Sequence, residues 1–208
     1  ILKAGGKKEF VRIKYNDFSS DVAAGFLGLE EYIIDDELNK SEVYQILEKK
    51  LEILEKQKTF GKIATLENNI NRLRDVLNLS EIECLVLEFF VMHANYDLIE
   101  IFTDMLGSSL NTNQTLQALS IILAVPLQDI KKVFDSGSTF SKSALLSIYR
   151  KNTCYLKNKF EFISDAFSDY MISKDVKIDK LLKEVLQECN NSNLSREDYN
   201  HKKKDTEI

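Results

Sequence analysis

The chain has 208 residues, 44 % of them apolar and 29 % charged, with a net charge of −5, seven glycines and a single proline. That length buries a core without help from disulfides or metal, and the acidic balance excludes a molecule that holds nucleic acid or acidic membranes through its overall charge. Few helix breakers beside many Leu, Ile, Lys, Glu and Asn predict long helices rather than a β-rich fold.

No segment reaches the roughly 20 apolar residues of a bilayer span. The start, ILKAGGKKEF, lacks the apolar region of a signal peptide. Cys84, Cys154 and Cys189 have no C-x-x-C spacing, so they read as small buried apolar groups in a reducing cytoplasm. The absent initiator Met and the tail without a helix stop lead us to expect a segment of a longer chain.

In chain order, EFVRIKY at 9–15 alternates Val11, Ile13 and Tyr15 with Arg12 and Lys14, a strand pattern within an N-terminal segment over 1–40. From Ser41 the period becomes helical. Val43, Leu47, Leu51 and Leu54 form one stripe, and Ile63, Leu66, Ile70, Leu73 and Leu77 form another. With a short break at Thr59-Phe60-Gly61, the two predict an antiparallel helical hairpin over 41–78.

The next unit runs over 79–188. Ser80 and Glu83 form an S-x-x-E capping box before an apolar run. The helix behind it, with Ile82, Leu85, Val86, Phe89 and Phe90, should be the central one. His93, near its end and without a second His or Cys beside it, reads as a surface or C-terminal helix position and not as a ligand or base. A helix at 97–106 follows, with Leu98, Ile101, Phe102 and Met105 inward. GSSLNTN is a loop. Leu116, Leu119 and Leu123 precede a turn at Ala124-Val125, and Pro126 opens the helix of Ile130, Val133 and Phe134. Asp135-Ser136-Gly137-Ser138 stops it. Residues 144–149 read as a strand and 154–156 as its partner, a short β-wing. Phe160, Phe162, Ile163, Phe167 and Met171 read as a helix, as does IDKLLKEVLQE. Residues 189–208 read as a polar linker with a lysine run at 202–204. The expected architecture is mainly α: a helical bundle with a winged-helix-like part and a β-wing near 144–156.

No catalytic constellation assembles. AGGKKEF is not the G-x-x-x-x-G-K-[ST] of a phosphate loop, G-x-S-x-G is absent, and His93 and His201 have no metal or triad context. No cofactor or metal site is therefore expected within these residues.

Residues 66–146 carry a family resemblance. LENNINRLRDVLNLSEIECLVLEFFVMHANYDLIEIF and LQALSIILAVPLQDIKKVFDSGSTFSKSALLSI resemble the N-terminal region of a group of bacterial AAA-type ATPases. That group has an L-S-x-x-E helix start, a helix pair, then D-S-x-L/F…S-x-L-L and a short wing. The matching positions are Leu79, Ser80 and Glu83; Asp135 and Ser136 with Phe140; and Ser143 with Leu145 and Leu146. The departures are Gly137 and Ser138 beside the D-S step, and Ala144 where glycine is usual. The tail LSREDYNHKKKDTEI looks like the stretch that enters the ATPase module. The resemblance implies a non-catalytic regulatory or recognition region. Its partners would be a protein partner or substrate and the parent's own ATPase module, with ATP and magnesium bound by the parent.

A second reading comes from charge. Between 128 and 160, seven positive side chains face two negative ones, a local +5 on an acidic chain. Lys131, Lys132, Arg150, Lys151, Lys157 and Lys159 are the candidates for an anion or nucleic-acid contact. Base readout is not expected, because the helix start at Pro126 offers only Gln128, beside Asp129. The alternative function is thus a winged-helix module holding nucleic acid weakly through a basic wing.

Overall fold

The computed structural model describes residues 3–4, 10–12, 17–34, 40–57, 61, 63–151, 153–164 and 166–173. They are mainly helical. A two-residue strand pair, β1 (Val11–Arg12) and β2 (Asp17–Phe18), precedes short helices α1 (Asp21–Phe26) and α2 (Glu31–Ile34). Then come α3 (Lys40–Lys56), α4 (Ala64–Leu77), α5 (Glu81–Asn95), α6 (Asp97–Asp104), α7 (Thr112–Ile122), α8 (Leu127–Val133) and α9 (Thr139–Ser143). An antiparallel pair, β3 (Leu146–Ile148) and β4 (Phe160–Phe162), precedes α10 (Phe167–Ser173). The expected strand at 9–15 is seen at Val11–Arg12. The helix expected at IDKLLKEVLQE and the linker at 189–208 lie outside the described residues.

The α5 helix is the centre, as expected from a sequence apolar on several faces; only Glu81 and Glu88 of its first eight residues are exposed. Val86, Leu87, Phe90 and Val91 are buried against Leu66, Ile70 and Leu73 of α4, Leu116 and Leu119 of α7, Ile130 and Val133 of α8, and Phe167 and Met171 of α10. Its start is the capping box of the sequence: Glu83 N–H donates to Ser80 Oγ at 3.2 Å, and Ser80 N–H donates to Glu83 Oε2 at 2.9 Å. Ser80→Ala should therefore lower stability by about 1 kcal/mol, read as a shift in the urea midpoint. Asn78, left-handed at φ 55, ends α4 one residue before Leu79 and turns the chain into this cap.

The two stripes expected to close into a hairpin go to different places. Leu66, Ile70 and Leu73 enter the core around α5. Val43 and Leu47 enter a second, smaller core with Phe10, Val11, Ala23, Ala24, Leu29 and Met105. Leu54, at the far end of the first stripe, is 48 % exposed. The N-terminal segment thus supplies cover for Val43 and Leu47 that the local pattern could not reveal.

The strand pair expected near 144–156 is also shifted. Residues 154–156 do not pair back on β3: Cys154 bridges Leu110, with Leu110 N–H donating to the Cys154 carbonyl at 3.2 Å, and Leu156–Lys159 form a 3₁₀ turn. The partner strand is Phe160–Phe162, in register Leu146 with Phe162, Ser147 with Glu161 and Ile148 with Phe160. Phe160, Ile163, Phe167 and Met171 are spaced for a helix, but Phe160-Glu161-Phe162 also alternates with period two. Glu161 is exposed between half-buried phenylalanines, and strand pairing wins there. Ser138 caps the additional helix α9 by accepting from Ser141 N–H at 3.1 Å.

Candidate functional site

The six candidate cations do not form one open basic face. Lys159 is fully buried and its ammonium donates to the Tyr149 carbonyl at 3.2 Å. It is a core residue, and its assignment as an anion contact is corrected. Lys157 bonds Glu100 at 2.7 Å and Asp104 at 3.2 Å, both on α6, and stands 5.7 Å from the centre of the Tyr155 ring. These hydrogen bonds, first to Glu100 and then to Asp104, raise the pKa of Lys157. Lys132 pairs with Asp129 at 2.8 Å, and that hydrogen bond raises its pKa too. Arg150 donates from Nη2 to the Phe134 carbonyl at 2.6 Å. Lys131 is half-buried and Lys151 exposed. Glu100 and Asp104 of α6 thus bring the local +5, in which Asp129 is already counted, down to +3. Glu100 and Asp104 were legible only as an i,i+4 pair on one helix face.

His93 sits in the last turn of α5, the C-terminal helix position expected for it, but it is buried and not at the surface. Its Nε2 lies 2.7 Å from Thr103 Oγ1, whose single hydroxyl proton goes to the Glu100 carbonyl at 2.9 Å. The hydroxyl must then accept from Nε2–H, which fixes the tautomer. Burial pushes the imidazole below its ordinary value of 6.5, against the raising effect of Glu100 and Asp104; Lys157 adds to the lowering. Asp104 Oδ1 is buried without a hydrogen-bond partner among the described residues.

The linkage sign follows from that depressed value. Above pH 6.5 both folded and unfolded chains hold this histidine neutral. As pH falls, the unfolded chain takes up the proton first, so stability drops until the folded pKa is passed. His93→Gln keeps a donor for Thr103 but has no such proton. Urea midpoints at pH 7.5 and at pH 5 should therefore differ less in the variant than in the parent protein. An equal difference would remove His93 from the acid response.

Beside the β3–β4 pair lies a cavity of about 380 Å³, between α9 with its preceding loop and β3. Its walls are Phe134, Phe140, Leu146 and Ile148. Ser136, Ser141 and Ser147 line it with hydroxyls, and Arg150 with a guanidinium. The size is in the range of ligand pockets. No spacing pattern announces it, because its two sides come from either side of the turn at Ala144. Among the described residues no cluster of His, Cys, Asp and Glu suits a metal ion, and no helix is long and apolar enough to cross a membrane.

No family model, curated protein or solved structure matches this chain.

Proposed function

We propose that this chain is the non-catalytic N-terminal recognition region of a bacterial AAA-type ATPase, a helical and winged-helix-like unit that positions a partner or substrate protein. The parent's ATPase module, following in sequence, would bind ATP and magnesium and couple hydrolysis to remodelling. One observation carries the reading. Glu83 of the first motif and Thr139, next to Phe140 of the second, lie 56 residues apart and meet at one carboxylate: Glu83 caps α5 through Oε2 and accepts Thr139 N–H through Oε1 at 3.0 Å.

A second point agrees. Ala144, where the family has glycine, sits in the left-handed region at φ 54, ψ 18. An L-residue there costs roughly 1–2 kcal/mol and glycine avoids this cost. Ala144→Gly should accordingly raise stability by about 0.5–1 kcal/mol after the entropy penalty of glycine, seen as a higher thermal midpoint. A lower midpoint would count against the assigned turn.

ATP hydrolysis tests the functional reading. The isolated chain should show none above the protein-free blank. The chain extended by the coding sequence after Ile208 should carry G-x-x-x-x-G-K-[ST] and hydrolyse ATP with magnesium. Clear turnover by residues 1–208 alone, or a continuation without that motif, would refute the proposal.

A further inference from the structure

We infer that the cavity between α9 and β3 binds a small phosphomonoester, its phosphate held by Arg150, Ser136 and Ser141. This site stands apart from the recognition reading above and needs no ATPase module. Its reachable groups decide what it can take. Phe134, Phe140 and Leu146 are buried and form only the floor. Ser136, Ser141, Ala144, Ser147 and Arg150 are exposed, Ile148 is half-buried, and these form the rim. Arg150 is the charged group among them. Its Nη2 donates to the Phe134 carbonyl at 2.6 Å, which tethers the guanidinium at the wall, and no described carboxylate pairs with it. The donors left over keep the planar fork that takes two oxygens of one anion. The hydroxyls of Ser136 and Ser141 donate to no other described residue; Ser141 uses its main-chain N–H on Ser138 Oγ at 3.1 Å. Ser147 differs, because its hydroxyl donates to the Glu161 carbonyl at 3.4 Å.

A phosphomonoester uses this donor set better than other anions do. A carboxylate has two oxygens, and the fork alone satisfies it. A phosphomonoester has three free oxygens and close to two negative charges at neutral pH, so it can engage the fork and both hydroxyls together. The phosphodiester of a nucleic acid offers two free oxygens and one charge. Charge around the rim points the same way. Lys142, next to Ser141, and Lys151, next to Arg150, are exposed. Asp135, next to Ser136, and Glu161, opposite Ser147, are the nearest acids in sequence and register. With Arg150, three cations face two acids, so this part of an acidic chain is positive. The volume of about 380 Å³ is in the range that holds an organic ligand. Ala144 and Ile148 give its organic part apolar surface to lie on.

An NMR titration of the whole chain at pH 7.5 tests this without nucleotide, so its outcome is independent of the ATPase assay. Phenyl phosphate is the probe. Benzoate keeps the ring with a carboxylate, and inorganic phosphate keeps the anion without the ring. Phenyl phosphate should shift the Arg150 side-chain N–H and the Ser136 and Ser141 amides. It should bind at least about ten-fold more tightly than benzoate, and more tightly than inorganic phosphate. Arg150→Gln should weaken it by about ten-fold or more, the loss of one charge-assisted contact. Ser141→Ala, which leaves the Arg150 tether in place, should weaken it by about three-fold or more. No shift at these residues with about 10 mM phenyl phosphate would overturn the inference. So would benzoate or inorganic phosphate binding as tightly as the probe, or shifts from a short DNA duplex at low salt but none from phenyl phosphate. Unchanged phenyl phosphate affinity in either folded variant would overturn it as well.

Discussion

Phe90→Ala should lower stability by about 3–5 kcal/mol, one of the largest effects of any single truncation in this fold. Phe90 is 3 % exposed and its ring centre lies 3.9 Å from that of Phe160 and 5.1 Å from that of Phe89. Phe160 in turn stands 5.4 Å from Phe134, which is 6.2 Å from Phe140. One ring on α5 thus anchors a chain of aromatic contacts through β4 and the end of α8 to α9. Removing it forfeits the transfer energy of the ring and leaves a cavity whose walls belong to separate elements. Those walls cannot all close inward, which places the cost near the upper end for a buried phenylalanine. Val76, 54 % exposed on α4, is the control; Val76→Ala should change stability by no more than about 0.5 kcal/mol. Urea unfolding followed by circular dichroism reads both. A loss near that of the control would mean that α5 does not organise the core.

The contrast between Phe90 and Phe160 shows what the sequence can disclose. Phe90 lies in a run that is apolar on several sides, and such a run is expected at the centre, so both its helix and its burial were legible. Phe160 satisfies two periods at once. It sits at helical spacing from Ile163 and at strand spacing from Phe162, and only the neighbouring edge of β3 selects the strand. The two stripes of 41–78 enter different cores for a related reason. An amphipathic stripe states that Val43 and Leu47 need cover, but it does not state which surface provides it. Phe10, Ala23, Ala24 and Leu29 do so, from a segment whose own pattern is weak. The candidate site was the least legible part. Counting charges treats Lys157 and Lys159 as equal to Lys151, whereas the fold gives one to Glu100 and Asp104 and buries another. The cavity between α9 and β3 is a product of backbone geometry at Ala144, which no composition or spacing argument reaches.

Glu83→Ala should cost about 2–4 kcal/mol, more than the loss of a helix cap alone. The carboxylate is 6 % exposed and accepts three hydrogen bonds, from Ser80 N–H, Ser80 Oγ–H and Thr139 N–H. Truncation removes the cap from α5 and also leaves the Thr139 amide, at the start of α9, without its acceptor. An amide shielded from water with no partner carries a penalty beyond the bond that was lost. Glu83→Gln keeps one acceptor oxygen and loses the charge, so it should fall between the parent protein and the alanine variant. The pair Ser80→Ala and Glu83→Ala offers a sharper measurement. Both remove the same reciprocal cap, so the double variant should be less destabilised than the sum of the two single changes, by about 0.5–1 kcal/mol. Strict additivity would mean that the two side chains act separately. A Glu83→Ala cost no larger than that of Ser80→Ala would mean that the bond to Thr139 contributes nothing. In that case the carboxylate would not join the helix start at Ser80 to the start of α9, and the physical link between the two motifs would be lost.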